Sequence, residues 1–234
     1  MSERFNPPKP QEHLKEGAKP IVVCIGAPDD FRNSGLAARN PSQAFNLDAL
    51  HNVQWKGSPV ASPLDNSNKF SENFCFCIGL IVAGEDKVTG QNISFLMHQD
   101  PISIMGSNAL RSILKLLTEI KERCKEGTID SVVIGGKGSS TYDNTYSEPI
   151  KFLGKEVQKI LGFEPTIING PKNTSVQNYQ EEIFAESGDE SSQYHDDIYY
   201  DNDHRRLYFV RPRVNPDAPD FLPSDLEKEK DNWK

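Results

Sequence analysis

Two apolar runs on either side of a polar segment constrain the fold of this chain more than any other feature. The runs cover residues 74–82 and 93–101, and both are rich in β-branched and aromatic side chains. The segment between them, residues 84–92, is polar and carries glycine at positions 84 and 90. This pattern predicts a β-hairpin.

The register of this predicted hairpin sets a thiol opposite an imidazole. A turn centred near Val88 pairs Cys77 with His98 and Cys75 with Asp100. Sulfur and imidazole therefore share one face of the hairpin, because side chains alternate between the two faces of a strand. Apolar pairs occupy the other face, namely Leu80 with Phe95 and Val82 with Ile93.

A cysteine nucleophile needs at least a thiol and a neighbouring base, such as an imidazole. A free cysteine has a pKa of about 8.5 and is mostly protonated at neutral pH, so it needs a base to become a thiolate. His98 can take that proton from Cys77 and later donate it to a leaving amine. The alternative is that Cys75 and Cys77 are ordinary small core residues and that His98 only ends a strand.

Size and composition predict one folded domain with polar extensions. The chain has 234 residues, of which 36% are apolar and 9% aromatic, which is enough for one substantial core. We expect a disordered arm over 1–20, a single domain over 21–211 and a polar tail over 212–234. A mobile acidic insertion is expected near 170–195, where polar and acidic residues predominate.

Charge and hydropathy exclude several partners. The net charge of −8 and the pI near 5.2 argue against binding to nucleic acid, which requires clustered lysine and arginine. No run approaches 18 apolar residues and the first 20 residues lack an apolar signal segment, so neither a membrane span nor secretion is predicted. The four cysteines match no zinc spacing and suit a reducing compartment. We expect a cytoplasmic protein, with signal-independent export left open.

The remaining periodicities predict an α/β (α+β) fold with mixed, largely antiparallel β-sheet layers and flanking helices. Ser107 is the expected N-cap of the clearest helix, which runs to Gly127, and residues 147–149 open a second helix that runs to Gly162. Residues 31–70 show no clear periodicity and are expected to form irregular connections. Strands are predicted at 21–26, 129–134 and 165–168, and a closing hairpin at 197–201 and 206–211.

In this order of elements the chain resembles the bacterial chemoreceptor glutamine deamidase (CheD) family. The residues that carry the resemblance lie at 77–81, 95–101 and 132–137, and residues 22–26 suit the first strand of that family. A more distant similarity connects the chain to the cytotoxic necrotizing factor catalytic domain and to the protein N-terminal asparagine amidohydrolases. The histidine of the latter begins a short segment similar to residues 98–100.

The resemblance implies a CheD-like sandwich and a cysteine-dependent deamidase of protein side chains. Cys77 would be the nucleophile and His98 the base and later the acid, and Ser71 occupies the position of a family hydroxyl that orients the imidazole. The substrate would be a glutamine or asparagine of another protein, docked by the acidic surface and long loops. No metal or organic cofactor is required.

Two departures from the family pattern leave the choice of nucleophile open. Residues 73–76 are bulky and apolar where the family has a small Gly/Ser-rich turn, and the segment from Cys77 to His98 is longer than usual. The first departure concerns the oxyanion hole, which needs backbone N–H groups from a tight turn. If the chain bends earlier, around residues 71–73, Cys75 becomes the nucleophile and Asp100 its neighbour.

Two other functions are alternatives to the enzyme, and several remaining motifs give weaker signals. The chain can be a noncatalytic protein-interaction module on the same fold, or a small-molecule-binding α/β protein that uses the glycine-rich loop at 135–141. That loop lacks the spacing of either common phosphate-binding motif. The acidic and histidine residues between 195 and 204 match no metal-site spacing and predict a solvated hairpin, and His13 and His51 are expected at the surface.

Overall fold

The computed structural model describes residues 13–26, 51–52, 61–74, 77–99, 101–134, 143–168 and 196–210. The predicted acidic insertion at 170–195, the tail at 212–234 and the first twelve residues of the predicted arm lie outside this set. The described strands are β1 (Val22–Gly26), β2 (His51–Asn52), β3 (Lys69–Phe74), β4 (Ile78–Glu85), β5 (Asn92–Gln99), β6 (Asp130–Ile134), β7 (Thr166–Ile168), β8 (Asp196–Asp201) and β9 (Arg206–Val210). The described helices are α1 (Pro101–Ile104), α2 (Ser107–Arg123) and α3 (Asp143–Leu161).

The strands form two sheets that stack face to face. Sheet A has the order β1-β9-β8-β3-β2, and sheet B has the order β5-β4-β6-β7. Three of the strand pairs, β1 with β9, β2 with β3 and β6 with β7, are parallel, and the other four are antiparallel. The predicted fold class, mixed α and β with largely antiparallel layers and flanking helices, is confirmed.

Two apolar clusters fix the order of the layers as helices, sheet B, sheet A. Alternate residues of β4 and β5, such as Leu80 and Phe95, pack against α2 and α3. The intervening residues, such as Ile81 and Leu96, pack against Ile198 and its neighbours in sheet A. Strand β4 is therefore buried on both faces, which explains its nearly continuous apolar sequence. The face predicted to carry the thiol and the imidazole is thus the inter-sheet layer.

Helix bounds differ from the sequence prediction at both N-termini. Helix α2 begins at Ser107, and the residue that precedes it in extended conformation is Gly106, so Ser107 is the first helical residue and not the N-cap. Helix α3 begins at Asp143 and contains Pro149, which the sequence placed at its start. None of the described helices is long and apolar enough to cross a bilayer.

Residues 13–21 pack on the domain, although their polar composition predicted a loose arm up to residue 20. The His13 ring stacks on Phe163 with centroids 3.8 Å apart and lies 3.4 Å from Asp130. Asp130 accepts a hydrogen bond from the backbone N–H of Ile21 at 2.6 Å. His13 is therefore held between an aromatic ring and a buried carboxylate instead of lying freely at the surface.

Candidate functional site

The β4–β5 hairpin exists, but its register differs from the prediction by two residues. Gly79, not Cys77, lies directly opposite His98. The cause is the turn, in which the Asp86 carboxylate accepts the N–H groups of Val88 and Thr89 and so centres the turn between them. The observed apolar pairs are Leu80 with Met97 and Val82 with Phe95. The predicted partner of Cys75, Asp100, lies outside the described residues, as does Cys75 itself.

A shift of two residues keeps every side chain on its predicted face. Cys77 precedes β4 immediately and packs against the inter-sheet cluster. His98 lies on the same face, because it alternates with Met97, which packs towards the helices. Cys77 is therefore the diagonal neighbour of His98, a relation in which Cα atoms are about 7–8 Å apart.

The apolar run at 74–82, predicted as one strand, is divided between the two sheets. Strand β3 ends at Phe74 in sheet A, and β4 begins at Ile78 in sheet B. The chain changes sheets between them, and Cys77 is the last residue of that connection. The sequence missed β3, because its inward-facing positions include Lys69 and Ser71, and polar residues there hide the alternation typical of a strand.

Ser71 reaches His98 across the inter-sheet layer. The Ser71 Oγ lies 2.8 Å from Nδ1 of His98, and the contact is buried. Ser71 is fully buried and His98 is 1% exposed, whereas Cys77 is half-buried. A hydroxyl bonded to Nδ1 restrains the orientation of the ring, and Nε2 is the ring nitrogen on the side away from Ser71.

The site lies at the end of the two sheets from which the longer connections leave. Strand β4 begins here, while β5, β6 and β7 end here in adjacent register at Gln99, Ile134 and Ile168. Strand β3 also ends here, paired with the start of β8. The glycine-rich loop at 135–141 follows β6 at this end, and its own residues lie outside the described set. Functional residues are commonly found where loops gather on a rigid scaffold.

A buried ion pair lies in the same layer, two residues before Ser71 on β3. The Lys69 ammonium is fully buried and donates hydrogen bonds to the Asp65 carboxylate and to Ser67 Oγ, the latter at 2.8 Å. Burial lowers the pKa of Lys69, and the Asp65 carboxylate only partly offsets this effect. Burial raises the pKa of Asp65, but hydrogen bonds from Lys69 and Ser67 outweigh it and hold that pKa below its ordinary value. Sequence reasoning assigned no role to this pair.

The other two described cysteines, Cys24 and Cys124, are both buried. Cys24, Cys77 and Cys124 are not joined by disulfides. Burial, reinforced by the nearby Asp86 carboxylate, raises the pKa of the Cys124 thiol to about 12, so this cysteine stays protonated at neutral pH. Cys24 is fully buried in β1, in sheet A.

Two side chains near the β8–β9 turn are hydrogen-bonded to each other. His204 Nδ1 lies 2.7 Å from the Asp201 carboxylate, and His204 is exposed. Among the described residues, no group of three or more histidine, cysteine, aspartate or glutamate side chains is placed to hold a metal ion. His195 and the side chains of Asp196 and Asp197, which belong to the same motif, lie outside the described set.

No family model matches the chain, and no curated protein is significantly similar to it in sequence. What can be inferred about function therefore rests on Cys77, His98 and Ser71 and on the layer that holds them.

Proposed function

We propose that this protein is a cysteine-dependent amidohydrolase that converts a glutamine or asparagine side chain of another protein to the corresponding acid. The observation that carries this proposal is the buried contact between Ser71 and His98, with Cys77 on the same face of the sheet at the diagonal position. A thiol, an imidazole and an orienting hydroxyl are the three parts that an activated cysteine nucleophile needs. The order of elements and the position of Ser71 also agree with the resemblance to chemoreceptor glutamine deamidases.

The reaction that these groups support has two stages. Nε2 of His98 takes the Cys77 proton while its Nδ1–H donates to Ser71 Oγ, and the thiolate attacks the carboxamide carbon. His98 then returns the proton to the nitrogen of the tetrahedral intermediate. The carbon–nitrogen bond breaks, ammonia departs, and the acyl group remains on Cys77 as a thioester. His98 then takes a proton from water, which attacks the thioester and releases the carboxylic acid and the Cys77 thiol.

Cys77 is the nucleophile of this proposal, because it packs against the inter-sheet cluster on the face that carries His98. Cys75, which lies outside the described residues, stays the alternative, because the pairing of β3 with β8 shifts its register between Ser71 and Phe74, and such an irregularity bends a strand. The chain passes from sheet A to sheet B between Phe74 and Ile78, and Cys77 is the described residue of this connection. A turn next to the nucleophile can direct backbone N–H groups at the carboxamide oxygen, where the negative charge develops, as an oxyanion hole requires.

One observation favours a second candidate, a noncatalytic protein-interaction module. His98 is only 1% exposed, and a buried histidine bonded to a serine is also a satisfied core residue. In that case Cys77 would be an ordinary thiol and the Ser71–His98 contact would contribute only to the stability of the two-sheet layer. The two candidates differ in the chemistry of one sulfur atom.

Thiol reactivity separates them. The rate at which iodoacetamide alkylates each cysteine is followed by peptide mass spectrometry between pH 5 and pH 9 in the wild type, His98→Ala, Cys75→Ala and Cys77→Ala. The enzyme predicts fast alkylation of Cys77 near neutral pH, lost in His98→Ala and kept in Cys75→Ala. Ammonia release from glutamine- and asparagine-containing proteins should vanish only in Cys77→Ala and His98→Ala. Slow alkylation of every cysteine in the wild type, independent of His98, would contradict the proposal.

A further inference from the structure

We infer that Gly79 is a positioning residue, because the absence of its side chain leaves the space over β4 through which the His98 imidazole reaches the Cys77 sulfur. The inference rests on the proposed function and names a residue that the sequence did not single out. It starts from the register of sheet B, in which Gly79 is paired with His98 on one side and with Ile134 on the other.

Residues that are paired side by side on β5, β4 and β6 form a row across sheet B. The row that contains His98 differs from the next two rows on the same face of the sheet. Those rows have a side chain at the central β4 position, Ile81 in one and Ala83 in the other. Only the central position of the His98 row, among the three, is a glycine. A gap in the side-chain layer therefore lies next to the imidazole.

This gap lies between the two reacting groups. Cys77 directly precedes β4 and is the next residue before Gly79 on the inter-sheet face, so Gly79 occupies the corner between Cys77 and His98. A Cβ at position 79 would lie about 4.5–5.5 Å from the Cβ of His98. It would compete for the space that an imidazole needs to bridge the longer diagonal to the sulfur.

Sheet A limits the movement of the ring away from β4. Ser71 closes the layer from sheet A and holds Nδ1 at 2.8 Å. Ser71 and its partner in sheet A, Ile198, are fully buried. An added methyl group at position 79 would therefore displace the ring from Ser71 or from Cys77.

A glycine inside a buried strand needs a reason, because it weakens the strand. The reason for the other glycine of β4, Gly84, is steric. Gly84 faces the helices, and an added Cβ would lie 2.6 Å from the Cys124 sulfur. Gly79 faces the opposite layer, where its neighbours in register are His98 and Ile134. Access of the His98 imidazole to Cys77 would explain why position 79 is also a glycine.

The test compares Gly79→Ala with Ser94→Thr, which adds one methyl group to the same layer four residues before His98 on β5. The pH dependence of Cys77 alkylation by iodoacetamide and the free energy of unfolding in urea are measured for both variants and for the wild type. Gly79→Ala should slow alkylation at neutral pH on the order of tenfold, a part of what a positioned base contributes, and should shift its midpoint towards that of free cysteine. Ser94→Thr should keep the wild-type profile.

If Gly79→Ala does not fold, the double variant Gly79→Ala/Ile134→Ala makes room at the far end of the row, and it should fold and still show slow alkylation. A wild-type pH profile in either folded variant would overturn the role of Gly79 while the proposed function stands. Wild-type alkylation that does not depend on His98 would overturn both.

Discussion

The Ser71 hydroxyl of sheet A lies 2.8 Å from Nδ1 of His98 in sheet B, so a contact between the two sheets restrains the imidazole on the face of sheet B that also carries Cys77. Both partners of this contact are buried. A hydrogen bond in such a layer is shielded from water, and loss of one partner leaves the other without its bond.

Replacing Ser71 with alanine should leave the ring of His98 without its orienting partner. We expect the rate of Cys77 alkylation at neutral pH to fall about tenfold, since a misoriented base loses part of its contribution of about 10²- to 10⁴-fold. Ser71→Thr keeps the hydroxyl and should restore most of the rate and the pH profile. An unchanged profile in Ser71→Ala would show that the contact is only structural.

Two glycine-to-alanine changes should have opposite effects on stability. At Gly84 the new Cβ would lie 2.6 Å from the Cys124 sulfur, so we expect a loss of about 1–3 kcal/mol in the free energy of unfolding. At Gly154, inside α3, the nearest atom of the Ile167 side chain is 3.7 Å away, and alanine should add about 0.5–1 kcal/mol. Urea unfolding measures both values, and an equal effect at the two positions would contradict the steric explanation.

Removing Asp65 alone should be far more harmful than removing both charges of the pair. Asp65→Ala leaves the fully buried Lys69 ammonium without its carboxylate, which we expect to cost about 3 kcal/mol. Asp65→Ala/Lys69→Met removes both charges and should recover most of that loss. Chemical denaturation of both single variants and the double variant gives the coupling free energy between Asp65 and Lys69. If the two losses in unfolding free energy were simply additive, the pair would not be stabilising.

Residues 13–21 should detach when Asp130 is replaced. Asp130 accepts hydrogen bonds from the N–H groups of Ile21 and Ser131, so Asp130→Ala should lower the free energy of unfolding by about 2–3 kcal/mol. Limited proteolysis within residues 13–20 should accelerate in the same variant. The control is Glu126→Ala, which removes an exposed ion pair with Lys15 and should change stability by less than about 0.5 kcal/mol. Equal proteolysis of the two variants would contradict the anchoring role of Asp130.

Stability should begin to fall above pH 9 because of Cys124. Its pKa in the folded protein is raised from an ordinary value of 9.0 to about 12. Between these values the unfolded chain releases the thiol proton and the folded chain keeps it, so stability is full below pH 9 and is lost as pH rises towards 12. The slope of the unfolding free energy between pH 9 and pH 10 should be smaller in Cys124→Ala than in the wild type. Equal slopes would argue that the thiol is not shifted.

The sequence alone was sufficient for the faces of the hairpin but not for its register. Apolar alternation placed Cys77 and His98 on one face, and a two-residue shift preserves that face. The shift itself depends on the Asp86 carboxylate, which caps the turn by accepting the N–H groups of Val88 and Thr89. Nothing in the hydrophobic pattern reveals which of several polar residues will close a turn.

The division of residues 69–85 between two sheets was also beyond sequence reasoning. No glycine or proline separates Phe74 from Ile78, so the run reads as one strand. Strand β3 faces the inter-sheet layer with Lys69 and Ser71, whose burial depends on the partners Asp65 and His98. Tertiary hydrogen bonds of this kind have no signature in a hydrophobic period.

Ser71 lies on one sheet, and His98 and Cys77 lie on or next to the other. A relative movement of the two sheets would therefore change the distance from Ser71 to His98 more than the distance from His98 to Cys77. His98 belongs to β5 and Cys77 directly precedes β4, so both are attached to the same hydrogen-bonded sheet. Ser71 belongs to the opposing sheet and moves with it. A small sliding of one sheet over the other would therefore break the hydroxyl–imidazole link first, and the ring would lose its alignment before the sulfur moved away.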